Sequence, residues 1–258
     1  MDEVAALTIG YRGAGFCGFA RQPGLGSVQG EIESALTTVF RRPVEVIGAG
    51  RTDAGVHAWG QVVSFPVTAA EADAVDPSRL LRSLNALTDD DLIVRDFRLE
   101  PEGFSARYNA VAREYRYYLA TGPTPPLFVR EIAVHQPAAL NLDEMRAAAE
   151  YLTGEHDFRS FCVTSSADLS TTIRTLESIE ITQEVLHFEP VIMVTVRGKS
   201  FLHSMVRTIV GTLVEVGKGK RSPEWVLEVL EARNRDAAGP TAPAHGLVFY
   251  SVTYPERG

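Results

Sequence analysis

The sequence predicts a mixed α+β fold: two ferredoxin-like βαββαβ halves that form an extended, mainly antiparallel sheet, with helices on one side and a central cleft. Three observations carry that expectation. Stretches of apolar–polar alternation recur between stretches with helical spacing of apolar residues. The order strand, helix, strand, strand, helix, strand is met once before residue 105 and again after it. The 258 residues, 45% hydrophobic and 22% charged, are enough for one large or two small domains with a core that needs no staples. The halves are expected at 1–105 and 106–258, joined near Phe104 to Asn109. They share no evident sequence similarity, so the repeat is one of architecture.

The elements follow in order. Val4 to Tyr11 reads as a strand. Val28, Ile32, Ala35, Leu36, Val39 and Phe40 recur at helical spacing. Val44 to Ile47 and Trp59 to Phe65 read as strands. Asp76 followed by Pro77 is an N-cap with proline at the first helical position, opening a helix to about Leu87. Asp91 to Leu99 closes the first half as a strand. In the second half Ala110 to Ala120 alternates through Tyr115, Tyr117 and Leu119, and a loop with Pro123, Pro125 and Pro126 follows. Asn141 with Glu144 resembles a capping box, and Gly154 is a helix stop. Ile173 to Thr182 and Val191 to Arg197 are strands. Phe201 to Val216 is a helix, a shorter helix starts at Pro223, and Leu247 to Tyr254 is the last strand. Thr164 to Thr172, rich in serine and threonine, reads as a mobile surface loop.

Net charge is −8, which argues against indiscriminate binding of nucleic acid. Its distribution is uneven. Arg197 to Arg221 holds six basic residues and one acid, 6 − 1 = +5, leaving −13 elsewhere. Only three of the 25 basic residues are lysines. Arginine is the better bidentate phosphate reader, and codon bias in an alanine-rich chain explains the same count equally well. Cys17 and Cys162 have no metal or redox spacing and suggest a reducing compartment. The six histidines show no ligand-like pairing. The start MDEVAALTIGY is too short and acidic for a signal peptide, and no apolar run reaches membrane-spanning length. A cytoplasmic protein without metal or membrane partner is expected.

Chemistry concentrates in Gly48 to Phe65. An Arg51-Thr52-Asp53 trio stands among Gly48, Gly50 and Gly55, after one strand-like run and before another. Glycines allow close backbone approach to a ligand, and loops on a rigid sheet carry function disproportionately. An Asx-turn explains an isolated Asp-x-Gly as well; the arginine and the three glycines favour the functional reading. Gly13 to Gly18 matches GxGxxG after a strand, but Pro23, Gly24 and Gly26 interrupt the chain before any helix, so a dinucleotide site is rejected. In Phe201 to Val216 the polar residues form one narrow stripe with Arg207 as its central charge. That stripe is either solvated or a cationic wall needing a carboxylate, for which Asp53 is the candidate. Phe104 to Ala120 interleaves Arg107, Arg113 and Arg116 with Tyr108, Tyr115, Tyr117 and Tyr118, the pattern of rings that stack on bases and cations that hold phosphates. Inward packing and pairing with Glu114 and its neighbours account better for most of these residues.

Taken together, GAGRTDAGVHA at Gly48 to Ala58, FSARY at Phe104 to Tyr108, REYRY at Arg113 to Tyr117, FLHSMVRTIVG at Phe201 to Gly211 and PAHGLVFYSVTYP at Pro243 to Pro255 resemble the tRNA pseudouridine synthase A family. The resemblance implies isomerisation of uridine to pseudouridine at positions 38, 39 and 40 in the tRNA anticodon stem-loop. It also implies a homodimer that shares one tRNA. The bond from ribose to uracil nitrogen breaks, the base turns, and carbon 5 takes its place; nothing is oxidised, so no cofactor or metal is called for. Carried over residue by residue, Asp53 is the catalytic carboxylate and Arg207 its ion-pair partner. Tyr115 stacks on the flipped uracil, Arg51 fills the space the base leaves, and Arg107 holds phosphate within the Phe104 to Tyr108 substrate segment. A guanidinium neighbour lowers a carboxylate's pKa by roughly 1–3 units. Flipping costs a few kcal/mol, and stacking returns about 1–3 kcal/mol per base. Two other readings compete: a non-catalytic RNA-binding module, and an N-glycosidase that releases free uracil.

Overall fold

The structure, a computed structural model, describes residues 3–163 and 171–255. It divides into two compact units, one running up to Val111 and again from Phe249, the other Ala112–Val248. The class is mixed α+β, with a mostly antiparallel sheet and six α-helices among the described residues.

In the first unit, strand β1 (Glu3–Tyr11) pairs antiparallel with β3 (His57–Val67) on one side and β4 (Leu92–Glu100) on the other. Leu7 stands opposite Val63 and Phe97. The order is β4-β1-β3-β10, with β2 (Ile47–Gly48) on β3; β10 spans Leu247–Thr253 and enters this unit at Phe249. Helix α1 (Val28–Phe40) begins where Ser27 accepts the Gly30 N–H at 3.2 Å, and it buries Val28, Ile32, Ala35 and Leu36. Helix α2 (Ala69–Ala74), which the sequence reading missed, is set by a capping box between Thr68 and Glu71. Helix α3 (Pro77–Leu87) has the expected Asp76 cap and Pro77 start, and it buries Leu80 and Leu84.

One expected strand is corrected. Val44 to Ile47 contributes only Ile47 to a ladder. The Val44 N–H goes to Thr37 Oγ1 at 3.3 Å and the Val46 N–H to Glu33 Oε1 at 3.0 Å. Side chains of α1 thus take donors that a strand partner would need.

In the second unit the order is β5-β9-β8-β7, all antiparallel, with β6 parallel to β5. These are β5 (Ala112–Thr121), β6 (Val134–Gln136), β7 (Gly154–Asp157), β8 (Ile173–Leu186) and β9 (Glu189–Gly198). The short β6 and β7 were not foreseen. Helix α4 (Leu142–Glu150) starts where Asn141 accepts from the Asp143 and Glu144 amides. Its stop comes earlier than expected, at Tyr151, and Gly154 opens β7 at φ 101°. The β8–β9 hairpin turns on His187 and Phe188, both at positive φ (45° and 72°). The Pro-rich loop after β5 is tied to this hairpin: Glu189 accepts the amides of Leu127, Phe128 and Val129 at 2.6, 2.9 and 3.0 Å. Helices α5 (Met205–Gly217) and α6 (Trp225–Ala232) complete the unit. The expected start of α5 at Phe201 is corrected to Met205, because Ser204 sits at φ 58° and breaks the helical run. Most of the serine–threonine loop, 164–170, lies outside the described residues.

Candidate active site

Asp53 lies in the first unit, in the loop between β2 and β3, and is half-buried, while Arg51 is exposed. The loop is held by polar groups that are themselves buried. The Ala49 N–H donates to the Val62 carbonyl at 2.8 Å. Gln61, fully buried, clamps Gly50: its Nε2 donates to the Gly50 carbonyl at 2.8 Å, and its Oε1 accepts the Gly50 N–H at 3.3 Å. The Tyr11 and Thr52 hydroxyls share a hydrogen bond of 2.8 Å, and the Thr52 carbonyl accepts the Phe19 N–H at 3.0 Å. Beyond Asp53 the chain turns, with the Val56 N–H on the Asp53 carbonyl at 3.2 Å and Gly55 at φ 80°. Burial pushes the Tyr11 phenol up to about 12, so it stays protonated at neutral pH.

The GxGxxG run opens no α-helix. It forms a 3₁₀ turn, Gly13–Gly15, that lies against this loop. The Gly13 amide donates to His57 Nδ1 at 3.2 Å, and a Cβ on Gly13 would stand 2.2 Å from the Val56 carbonyl oxygen.

Within the same unit, Phe104 packs on Tyr254 with ring centroids 5.2 Å apart. Both line a cavity of about 460 Å³ together with Thr8, Val62, Arg98 and Glu100. Tyr108 is 77% exposed, and the exposed Arg107 places its guanidinium carbon 5.4 Å from the Tyr108 ring centre. The segment thus turns the Tyr108 ring and the Arg107 guanidinium to solvent, whereas Phe104 is half-buried.

In the second unit Tyr115 projects from β5 and is buried; its ring meets Phe201 edge-on, centroids 4.9 Å apart. Tyr117, on the same face, donates its hydroxyl to the Pro243 carbonyl at 2.9 Å. Burial raises the Tyr117 pKa, and the Arg207 charge offsets part of that rise. Arg207 stands half-buried in the first turn of α5. Its Nε donates to the Ala242 carbonyl at 2.8 Å, and its own carbonyl accepts the Ala242 N–H at 3.1 Å.

The polar stripe of α5 is neither of the two expected things along its whole length. Segment Gly239 to Pro243 covers it. Thr208 and Thr212 are fully buried, Thr212 Oγ1 accepts the Gly239 N–H at 3.0 Å, and a Cβ on Gly211 would stand 1.7 Å from the Pro240 carbonyl oxygen. The expected basic patch is also partly cancelled. Arg197 pairs with Glu177 at 2.6 Å, and Lys218 and Lys220 pair with Glu215 at 3.3 and 2.8 Å.

The structure thus groups Arg51 and Asp53, and Phe104, Arg107 and Tyr108, in the first unit; Tyr115 and Arg207 belong to the second. The sequence reading missed Tyr11, Gln61 and Phe201. The polar Gln61 next to the apolar run Val62-Val63 of a largely apolar strand was the available signal. Among the described residues no group of three His, Cys, Asp or Glu is placed to hold a metal, and no helix is long and apolar enough to cross a membrane.

A family model described as tRNA pseudouridine synthase matches residues 148–255. That class is an isomerase, and its reaction forms pseudouridine in tRNA. The tRNA pseudouridine synthase A of Shouchella clausii is 40% identical over 96% of this chain and 92% of its own length. That of Bacillus subtilis is 40% identical over 96% and 97%, and that of Chlamydia muridarum 38% identical over 99% and 93%. The chain belongs to the tRNA pseudouridine synthase A family. A solved structure of an H/ACA RNP bound to a substrate RNA containing 2'-deoxyuridine aligns at TM-score 0.34, with 12% identity over 89% of this chain and 60% of that one.

Proposed function

We propose that this enzyme isomerises uridine at positions 38, 39 and 40 of the tRNA anticodon stem-loop. In this reading Asp53 is the catalytic carboxylate, Arg207 its ion-pair partner and Tyr115 the ring on which the flipped uracil stacks. Arg51 takes the place of the extruded base, and Phe104, Arg107 and Tyr108 hold RNA. The observation that carries the reading is the loop itself: a half-exposed Asp53 between residues 50 and 52, both fixed by buried hydrogen bonds. Catalysis by a positioned group requires that rigidity. Two features support the roles in the second unit. Arg207 spends its Nε on Ala242, which aims the guanidinium, and Phe201 braces the Tyr115 ring.

The atoms balance without a redox partner. The ribose C1'–N1 bond breaks, C1'–C5 forms, the hydrogen on C5 leaves as a proton, and the freed N1 takes one up. We further read the chain as two ferredoxin-like halves, which the order β1-α1-β2-β3-α3-β4 of the first unit, with the short α2 before α3, supports. Family membership supports a homodimer acting on one tRNA in the cytoplasm.

The test is Asp53→Ala. The variant is expected to bind tRNA as the parent does and to release no tritium from uracil labelled at carbon 5. Appreciable release removes Asp53 from the chemistry. Product RNA of unchanged mass supports isomerisation, whereas loss of uracil mass indicates a glycosidase.

A further inference from the structure

We propose that Tyr11 and Gln61 are positioning residues for the Asp53 carboxylate, Tyr11 acting through the Thr52 hydroxyl and Gln61 through the Gly50 peptide. The inference rests on the reading of Asp53 as catalytic.

The contacts bracket the aspartate. Residue 50 is held through both of its backbone polar groups by one amide side chain, and residue 52 is held through its hydroxyl by Tyr11 and through its carbonyl by Phe19. Tyr11 and Gln61 belong to β1 and β3, so the loop is referenced to the sheet rather than to a neighbouring loop. Tyr11 is 5% exposed, Gln61 0% and Thr52 8%. Apolar side chains would fill the same space without the desolvation that burying three polar groups costs. What the polar set adds is direction: a hydrogen bond fixes distance and angle, whereas an apolar contact lets the loop slide. The high phenol pKa keeps the Tyr11 hydrogen in place throughout the neutral range. Gly18 closes the arrangement from the other side. At φ 96°, its absent Cβ would lie 3.1 Å from the Thr52 carbonyl oxygen, so the Gly18 backbone can sit against residue 52.

The experiment is single-turnover tritium release by Tyr11→Phe, Gln61→Leu, Thr52→Val, Thr52→Ser and Asp53→Ala, with tRNA affinity and melting temperature measured alongside. Gln61→Leu is expected to lower the single-turnover rate constant roughly 10- to 100-fold, and full activity in it removes Gln61 from the proposal. Tyr11→Phe and Thr52→Val are each expected to lower that rate constant by the same factor, with tRNA affinity within about twofold. Their combination is no worse than either alone, because one hydrogen bond is removed once. Thr52→Ser, which keeps the hydroxyl, recovers most of the rate lost in Thr52→Val. An inactive Asp53→Ala beside a fully active Tyr11→Phe overturns this inference and leaves the catalytic reading standing. Turnover by Asp53→Ala overturns both. If Tyr11→Phe does not fold, the Thr52 pair decides: equal rates in the valine and serine variants overturn the proposal.

Discussion

Glu71 binds two partners with one carboxylate. It completes the capping box of α2 by accepting the Thr68 N–H at 2.8 Å, and it receives Arg42 in a two-pronged contact at 2.7 and 2.9 Å. The Arg42 guanidinium is the main reason that its pKa falls from 4.5 to about 2. The sign follows directly. A carboxylate whose folded-state pKa is depressed favours the ionised folded form, so the stabilisation is complete above about 4.5 and disappears as pH falls through about 2. Glu71→Gln is therefore expected to cost about 1 kcal/mol at neutral pH, since the pair is partly solvated. The cost should fade toward pH 2, as read from urea unfolding at several pH values. A difference independent of pH would mean that cap geometry, not charge, supplies the stability. The pairing joins residues 29 apart, so the sequence suggested neither partner for the other.

Helix α5 shows where packing overrides propensity. A glycine inside a helix normally costs about 0.5–1 kcal/mol against alanine, so Gly211→Ala in an isolated helix would be stabilising. Here the added methyl would meet the Pro240 carbonyl oxygen at 1.7 Å, a backbone atom that can yield only if its whole segment shifts. Overpacking of this kind costs typically 1–3 kcal/mol, which outweighs the propensity gain. Gly211→Ala is expected to lower the melting temperature and, by pushing Gly239 to Pro243 away, to break the Arg207–Ala242 pairing and reduce turnover. A melting temperature at or above the parent's would sink the argument. The same comparison separates what was legible in the sequence from what was not. α1 and α3 were readable because their apolar spacing, and for α3 its Asp76-Pro77 start, lie within a few residues. The missing strand at Val44 was not, because Thr37 and Glu33 of another element capture its donors. Nor was the burial of Thr208 and Thr212, which depends on a segment about 30 residues further on. Asp53, Tyr115 and Arg207 were singled out by motif and spacing; Tyr11 and Gln61 were missed because each acts on a loop residue that the chain reaches later or earlier, and only Gln61 left a trace, as a polar residue in a largely apolar strand.

Charge belongs to the entire chain. A protein at −8 that acts on tRNA draws its affinity from placement, not from its total. Three of the six cations between Arg197 and Arg221 are occupied by Glu177 and Glu215, so that segment is a weaker lure for phosphate than its count suggests. Arg107 is exposed beside Tyr108, where a phosphate can reach it from solvent. Arg107→Ala is expected to weaken tRNA binding similarly for different tRNAs and to make the log–log dependence on salt shallower by roughly one unit. Filter binding between 50 and 200 mM salt, approximate bounds within which phosphate contacts show strongly, reads it. An unchanged slope removes Arg107 from the phosphate contacts.

The first unit is interrupted in sequence: it takes residues up to Val111 and then waits for Phe249 onward, where the Tyr254 hydroxyl reaches the Ala106 carbonyl at 2.8 Å and Val111 bonds Thr253 at 2.9 Å. On the ribosome, where synthesis runs from the N-terminus at about 5–20 residues per second, Ala112–Val248 is therefore finished first. The nascent Asp53 loop emerges early but acquires its full scaffold only once β10 has left the ribosome.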